Sequence, residues 1–139
     1  MTAKIEVNWK GKMLFESVAP EGAVLIDAAE EVGGQGKGLR PKAMMLSALA
    51  GCTAMDIASL LKKMRAEVAD FKIIAEANLT EEHPKYYDKV KVTYHFFGGN
   101  YKKDKIEKAI NLSVERYCGV MEMFRKFSEV STEIIYHEE

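Results

Sequence analysis

Apolar and polar residues alternate over Ile5-Glu6-Val7-Asn8-Trp9, with lysines at positions 4 and 10 on either side. That period of two predicts a half-buried strand. Lys10-Gly11 supplies a turn, and Met13 to Ser17 forms the returning strand of a hairpin. Pro20-Glu21-Gly22 predicts another turn before a short third strand from Ala23 to Ile26. The alternation returns at Phe71, Ile73, Ala75, Ala77 and Leu79, set against Lys72, Glu76 and Asn78. It returns again at Val90, Val92, Tyr94 and Phe96, set against Lys89, Lys91, Thr93 and His95. Glu81-Glu82-His83-Pro84 joins these two strands, and Val130 to His137 predicts a last one.

Between the two groups of strands the pattern changes. From Pro41 the chain is apolar nearly all round until Lys62 and Lys63, which predicts a helix to about Arg65, buried on most faces. Proline suits the first turn of a helix, where its missing N–H costs nothing. Gly51 in the interior costs about 1 kcal/mol relative to Ala, and the expected return is close packing of another helix, or approach of a ligand, beside Cys52. Asp104 with Glu107 resembles a capping box. The stripe Ile106, Ile110, Val114, Tyr117 then leads to Cys118, Gly119 predicts the end of that helix, and Val120 to Phe127 a short further one. Strands, one long helix, strands, helices, strand is the order of an α+β fold with helices on antiparallel sheet, not of alternating βαβ units. We read residues 1–139 as a single domain.

Composition narrows the function classes. Twenty basic and 21 acidic residues give a formal net charge of −1, so no electrostatic footprint for nucleic acid or an anionic membrane exists. Ala43 to Leu61 is long enough to raise the question of a membrane span, but it carries Ser47, Cys52, Thr53, Asp56 and Ser59, and charge at the centre of a span is costly. It reads as a core helix of a soluble protein. One chain of this size struggles to wrap such a helix, and a homodimer sharing it solves that problem. Two cysteines are too few for a disulfide scaffold and favour a reducing compartment. Met-Thr-Ala-Lys-Ile-Glu-Val lacks the apolar core of a signal peptide, so the expected location is cytoplasmic.

The candidate chemistry centres on Cys52, within the apolar helix, and Cys118. Their separation of 118 − 52 = 66 residues rules out a local thioredoxin-type pair. A long-range redox pair and two inert core thiols both fit, since free cysteine is among the most buried residue types. Proximity discriminates them: a disulfide needs Cα atoms about 4.4 to 6.8 Å apart. His83, His95 and His137 each stand alone on a loop or strand without ligand spacing to a cysteine, so no metal and no cofactor is expected. Gly33-Gly34-Gln35-Gly36-Lys37-Gly38 is a flexible loop that lacks the preceding strand and spacing of a nucleotide fingerprint. No nucleophile elbow is present, and Met44, Met45 and Met55 read as core filler.

Arg40-Pro41, Leu46, Ala48-Leu49-Ala50-Gly51-Cys52-Thr53, Asp56-Ile57, Ser59-Leu60-Leu61-Lys62-Lys63 and Leu112-Ser113-Val114-Glu115-Arg116-Tyr117-Cys118 together resemble the OsmC/Ohr family of osmotically inducible and organic hydroperoxide resistance proteins. Element order agrees from end to end. The resemblance implies antiparallel sheets around long central helices in an intertwined bacterial homodimer, with sites at the subunit interface. It implies a thiol peroxidase in oxidative-stress defence, with Cys52 as the peroxidatic and Cys118 as the resolving cysteine. The Cys52 sulfenic acid would condense with Cys118 to a disulfide that an external thiol or dithiol reduces. An apolar pocket would favour organic hydroperoxides.

One departure stands out. Family peroxidases carry a glutamate after the helix-starting proline that steadies an activating arginine; here that position is Lys42, and residues 1–39 contain no arginine. Arg40 lies twelve residues before Cys52, roughly 18 Å along a helix at 1.5 Å per residue. A cation for Cys52 would therefore come from another subunit or a folded-back loop, with Lys12, Lys37, Arg40 and Lys42 as candidates. The competing reading is a family member that binds an apolar small molecule at the dimer interface, or does other thiol chemistry there.

Overall fold

The computed structural model describes residues 1–138. Its elements follow the hydropathy pattern closely. Strands β1 (Glu6–Trp9), β2 (Phe15–Ala19) and β3 (Gly22–Ile26) are followed by helix α1 (Pro41–Lys63). Strands β4 (Asp70–Leu79) and β5 (Tyr87–Phe97), helices α2 (Lys103–Leu112) and α3 (Gly119–Arg125), and strand β6 (Glu129–Tyr136) complete the chain. The chain divides into two compact units, one of residues Met1–Met45 and one beginning at Leu46.

The first unit is an antiparallel meander in the order β1-β2-β3. Beyond β3, Leu39 bridges Ile26, and Asp27 N–H donates to the Leu39 carbonyl at 3.0 Å. Gly34 and Gly38 allow this return: a Cβ on Gly34 would lie 1.7 Å from the Ala28 oxygen, and one on Gly38 would lie 2.6 Å from the Leu25 carbonyl carbon. The glycine-rich loop, expected to be flexible, is tied down by the Asp27 carboxylate. Its oxygens accept from the backbone N–H groups of Ala28, Gln35 and Lys37 at 2.9, 2.9 and 3.2 Å.

The second unit holds the hydrophobic core. Leu49, Ile57 and Leu61 of α1 meet Val90, Val92, Tyr94 and Phe96 of β5, with Ile106, Ala109 and Ile110 of α2 and Met121 and Phe124 of α3. Helix α1 is buried on one stripe only, Leu49, Thr53, Ile57 and Leu61, one residue per turn. The expectation of burial on most faces is thus corrected for a single chain, where Met55 stays 76% exposed. By length and composition α1 could cross a membrane, but its Thr53 and Asp56 hydrogen-bond to neighbouring elements, as a core helix does. Just past the helix Arg65 takes the left-handed region, and the Met64 and Arg65 carbonyls accept from the Lys105 and Lys102 ammonium groups.

The second sheet has the order β4-β5-β6 and is mixed. Strands β4 and β5 are antiparallel, whereas β6 runs parallel to β5. The antiparallel expectation fails for this pair because the return from β5 to β6 crosses over through α2 and α3, one crossover unit of the kind the element order did not reveal. Two helix boundaries also differ. Lys102, not Asp104, occupies the N-cap of α2, with no side-chain cap, so the capping box is not made. Gly119 does not end a helix; α2 gives way to a π-helical turn over Ser113–Tyr117, and Gly119 opens α3.

Candidate active site

Three elements of the second unit converge on the sulfur atoms. Cys52 and Asp56 are four residues apart on α1 and therefore share a face. Cys118 arrives from the other side at the end of the π turn, whose wide ring is closed by Cys118 N–H donating to the Ser113 carbonyl at 2.8 Å. Such turns recur at functional sites because the extra residue re-aims the downstream chain. Cys118 then caps α3: its Sγ accepts from the Met121 N–H at 3.3 Å. The two Sγ atoms and an Asp56 carboxylate oxygen all lie within 4.8 Å of one another.

Both cysteines are free thiols, Cys52 partly exposed and Cys118 buried. Burial pushes the Cys118 thiol up to about 12, with the neighbouring Cys52 sulfur adding to it and the Met121 N–H opposing it. At neutral pH Cys118 is therefore protonated.

Behind the carboxylate runs a chain of buried hydroxyls. Ser113 Oγ donates to Asp56 Oδ2 at 2.8 Å. Ser113 Oγ lies 2.8 Å from Thr53 Oγ1, which lies 2.9 Å from the Tyr94 hydroxyl. Each hydroxyl has one proton, so the direction is determined: Tyr94 donates to Thr53, Thr53 to Ser113, and Ser113 to Asp56. Tyr94, Thr53 and Ser113 are each 0% exposed. Burial raises the Tyr94 pKa, so it serves as a donor and not as an anion.

The structure brings Cys52 and Cys118 together. Arg40 and Lys42 are exposed residues of the first unit, at the entry to α1. Lys12 and Lys37 are likewise exposed residues of the first unit. Reading the sequence for cations missed Asp56, Thr53, Tyr94 and Ser113. The i,i+4 spacing of Cys52 and Asp56 was the one available signal; Ser113 and Tyr94 are distant in sequence and reach the site only through the fold. The histidines are also corrected. His95 Nδ1 and His137 Nε2 lie 2.9 Å apart, so these two do not stand alone. Nor does Gly51 serve helix packing within this chain, since a Cβ there would meet nothing within 4 Å. A surface hollow of about 470 Å³ along α2, lined by Asp104, Glu107, Lys108 and Arg116 among others, contains neither cysteine.

With this geometry in hand, comparison with known proteins is decisive for the family. The family model for OsmC-like protein matches residues 34–133. The chain belongs to the OsmC-like family. Protein YhfA of Escherichia coli is 33% identical over 86 residues, a match spanning 62% of this chain and 64% of that protein. A hypothetical protein from Aquifex aeolicus superposes with a TM-score of 0.81 at 28% identity, covering 99% of both chains. The organic hydroperoxide resistance protein OhrB of Bacillus subtilis shares the fold at a TM-score of 0.67 and 18% identity, covering 96% of this chain and 98% of that one. The α+β architecture expected from the sequence is thus that of the family.

Proposed function

We propose that this chain is a thiol-dependent peroxidase that reduces organic hydroperoxides in oxidative-stress defence, acting as a cytoplasmic bacterial homodimer without a cofactor. The observation that carries the reading is the meeting of two free thiols and a carboxylate within 4.8 Å. Cys52, the more exposed sulfur, is the nucleophile. Its thiol proton passes to Asp56, and the sulfur attacks the distal oxygen of the hydroperoxide. The O–O bond breaks, the alcohol leaves with the proton, and Cys52 becomes a sulfenic acid. Cys118 then attacks the Cys52 sulfur. Its proton goes by way of Asp56 to the departing hydroxide, which leaves as water, and a disulfide remains. An external thiol or dithiol returns both sulfurs to thiols. Asp56 suits this carrier role because the hydroxyl chain holds its carboxylate in place from one side only.

The dimer rests on exposed apolar surface. Val7, Trp9 and Leu39 are 54%, 67% and 50% exposed, and the first unit contributes no buried apolar residue of its own. Three short strands without a core are not stable alone, and a second copy is the partner that family membership favours. That copy would also wall the substrate site with apolar surface.

The carboxylate beside the sulfurs favours one alternative, a family member doing other thiol chemistry at the same sulfurs or binding an apolar molecule there. The test is consumption of cumene hydroperoxide with dithiothreitol or dihydrolipoamide, native protein against Cys52→Ser. Turnover that falls at least ~100-fold in the variant is expected, a loss typical of a missing nucleophile. A native protein without turnover under either reductant would replace the peroxidase reading with the alternative.

A further inference from the structure

We infer that the reduced protein binds one divalent zinc ion per chain through Cys52 Sγ, Cys118 Sγ and an Asp56 carboxylate oxygen. The inference rests on the reading of these two cysteines as a reduced pair, and it adds a ligand that the peroxidase chemistry does not require. Two sulfur donors and one oxygen donor are the mixed set that selects zinc over magnesium or calcium, whose ligands are oxygens alone. A tetrahedral zinc ion with sulfur at about 2.3 Å and oxygen at about 2.0–2.2 Å needs its donor atoms roughly 3.5–3.8 Å apart. The three donors here already lie within 4.8 Å of one another, so rotamer adjustments of about an ångström close the site.

The surroundings are those of a built site. Two donors sit on one face of a single helix, four residues apart. The third comes from a residue whose backbone is locked between the π turn and α3. The carboxylate is oriented by a second layer, Ser113 backed by Thr53 and Tyr94, and all three of those side chains are fully buried. Metal-ligating carboxylates are held in this way, and loss of the holding partner typically costs about 10–100-fold in affinity. Three protein ligands leave a fourth tetrahedral position open, and Cys52 is partly exposed.

Binding converts two thiols and one Zn²⁺ into a dithiolate complex and releases two protons to the buffer. Both sulfurs are then committed to the ion. Zinc and hydroperoxide therefore exclude one another: the ion protects the dithiol from oxidation, and the disulfide cannot hold the ion.

The experiment is a zinc titration of protein reduced with a phosphine, stripped with a chelator, desalted without oxygen and set in competition against a chromophoric zinc chelator. One ion per chain is expected for the reduced protein and none after oxidation to the disulfide. Cys52→Ser and Cys118→Ser should lose the site, Asp56→Asn should weaken it at least ~10-fold and Ser113→Ala about 10-fold. Cobalt(II) in place of zinc should give a thiolate charge-transfer band in the native protein that disappears in Cys52→Ser. That spectrum decides the matter on the native chain even where a variant misfolds. Absence of the band, or native zinc affinity no greater than that of the Cys52→Ser, Cys118→Ser double variant, would overturn the inference. Native affinity in a folded Asp56→Asn would do the same for the third ligand. Peroxide turnover without zinc binding would sink this inference and leave the peroxidase reading standing; zinc binding without turnover would do the reverse.

Discussion

Two aspartates, Asp27 and Asp56, are placed in opposite ways. Asp27 is 2% exposed, and three backbone N–H groups converge on its carboxylate. Asp56 is partly exposed and, among the described residues, takes one hydrogen bond, from Ser113. A carboxylate held by three backbone donors is a structural clamp: it orders the loop from Ala28 to Lys37, and three of its roughly four lone-pair sites are taken. A carboxylate held from one side, with two thiols on the other, keeps lone pairs free for a proton or a metal. The contrast is between a charge used to fold the chain and a charge kept for chemistry.

Crossed substitutions test that contrast most strongly. Asp56→Asn preserves shape and hydrogen bonding to Ser113 but removes the proton acceptor. It should lower hydroperoxide turnover about 100-fold, the scale of a lost general base, while the thermal midpoint stays close to native. Asp27→Asn should do the opposite, lowering the thermal midpoint while the reduced protein that remains folded keeps its turnover. Equal losses of stability in both variants would erase the distinction drawn between the two aspartates.

The hydroxyl chain gives a second, smaller test. Thr53→Val keeps the shape at a fully buried position but leaves the Tyr94 hydroxyl without its acceptor and Ser113 without its donor. An unsatisfied buried donor costs about 1–3 kcal/mol. Tyr94→Phe removes the terminal donor and strands no proton, so it should cost about 1 kcal/mol. Denaturant unfolding of the two variants should therefore rank Thr53→Val as the more destabilised. The reverse order would mean that the donor direction derived from one proton per hydroxyl is wrong.

The limits of the sequence are visible in the same residues. Period-two alternation located β4 and β5 because one face of each strand is more buried than the other, whereas in β1 the alternating Val7 and Trp9 stay exposed in one chain. The apolar run located α1 because its composition is helical and its ends are marked by Pro41 and the Lys62-Lys63 pair. What alternation cannot express is direction, so the parallel pairing of β6 with β5 was invisible until the crossover was seen. Nor can periodicity register a π turn. The stripe Ile106, Ile110, Val114, Tyr117 reads as one helix, yet the regular helix ends at Leu112. Resemblance to the family named both cysteines. The cation candidates Lys12, Lys37, Arg40 and Lys42 were read from the sequence instead, and the search for them passed over Asp56, whose carboxylate oxygen lies beside the sulfurs.

Acid titration tests the clamp at Asp27. Its backbone hydrogen bonds hold the carboxyl below its ordinary value of 3.8 in the folded chain, that of Gln35 contributing most, with burial opposing them. A depressed folded-state pKa stabilises the folded form fully above the unfolded-state value and progressively less as pH falls through the folded one. The stability advantage of the native chain over Asp27→Asn should thus be constant from neutral pH to about pH 5 and shrink as pH falls below about 4. An advantage that persists undiminished at pH 2 would show that the clamp does not depend on the carboxylate charge.

The smallest expected effect concerns Gly51, which joins the site to the proposed dimer. Beyond its chain neighbours and its own helix backbone, no described residue lies within 4 Å of where its Cβ would be, so no tertiary packing inside one chain opposes Gly51→Ala. Helix propensity alone would then reward the substitution by about 0.8–1 kcal/mol. If a second copy seats against this face beside Cys52, the added methyl meets that copy, and the reward is offset by a weaker interface. We expect the thermal midpoint to stay level or fall, and the dimer to dissociate at higher protein concentration than the native protein in sedimentation equilibrium. A variant with a raised midpoint and undisturbed association would place Gly51 on an open face, and the second copy would have to cover the exposed sheet of the first unit without touching the helix that carries Cys52.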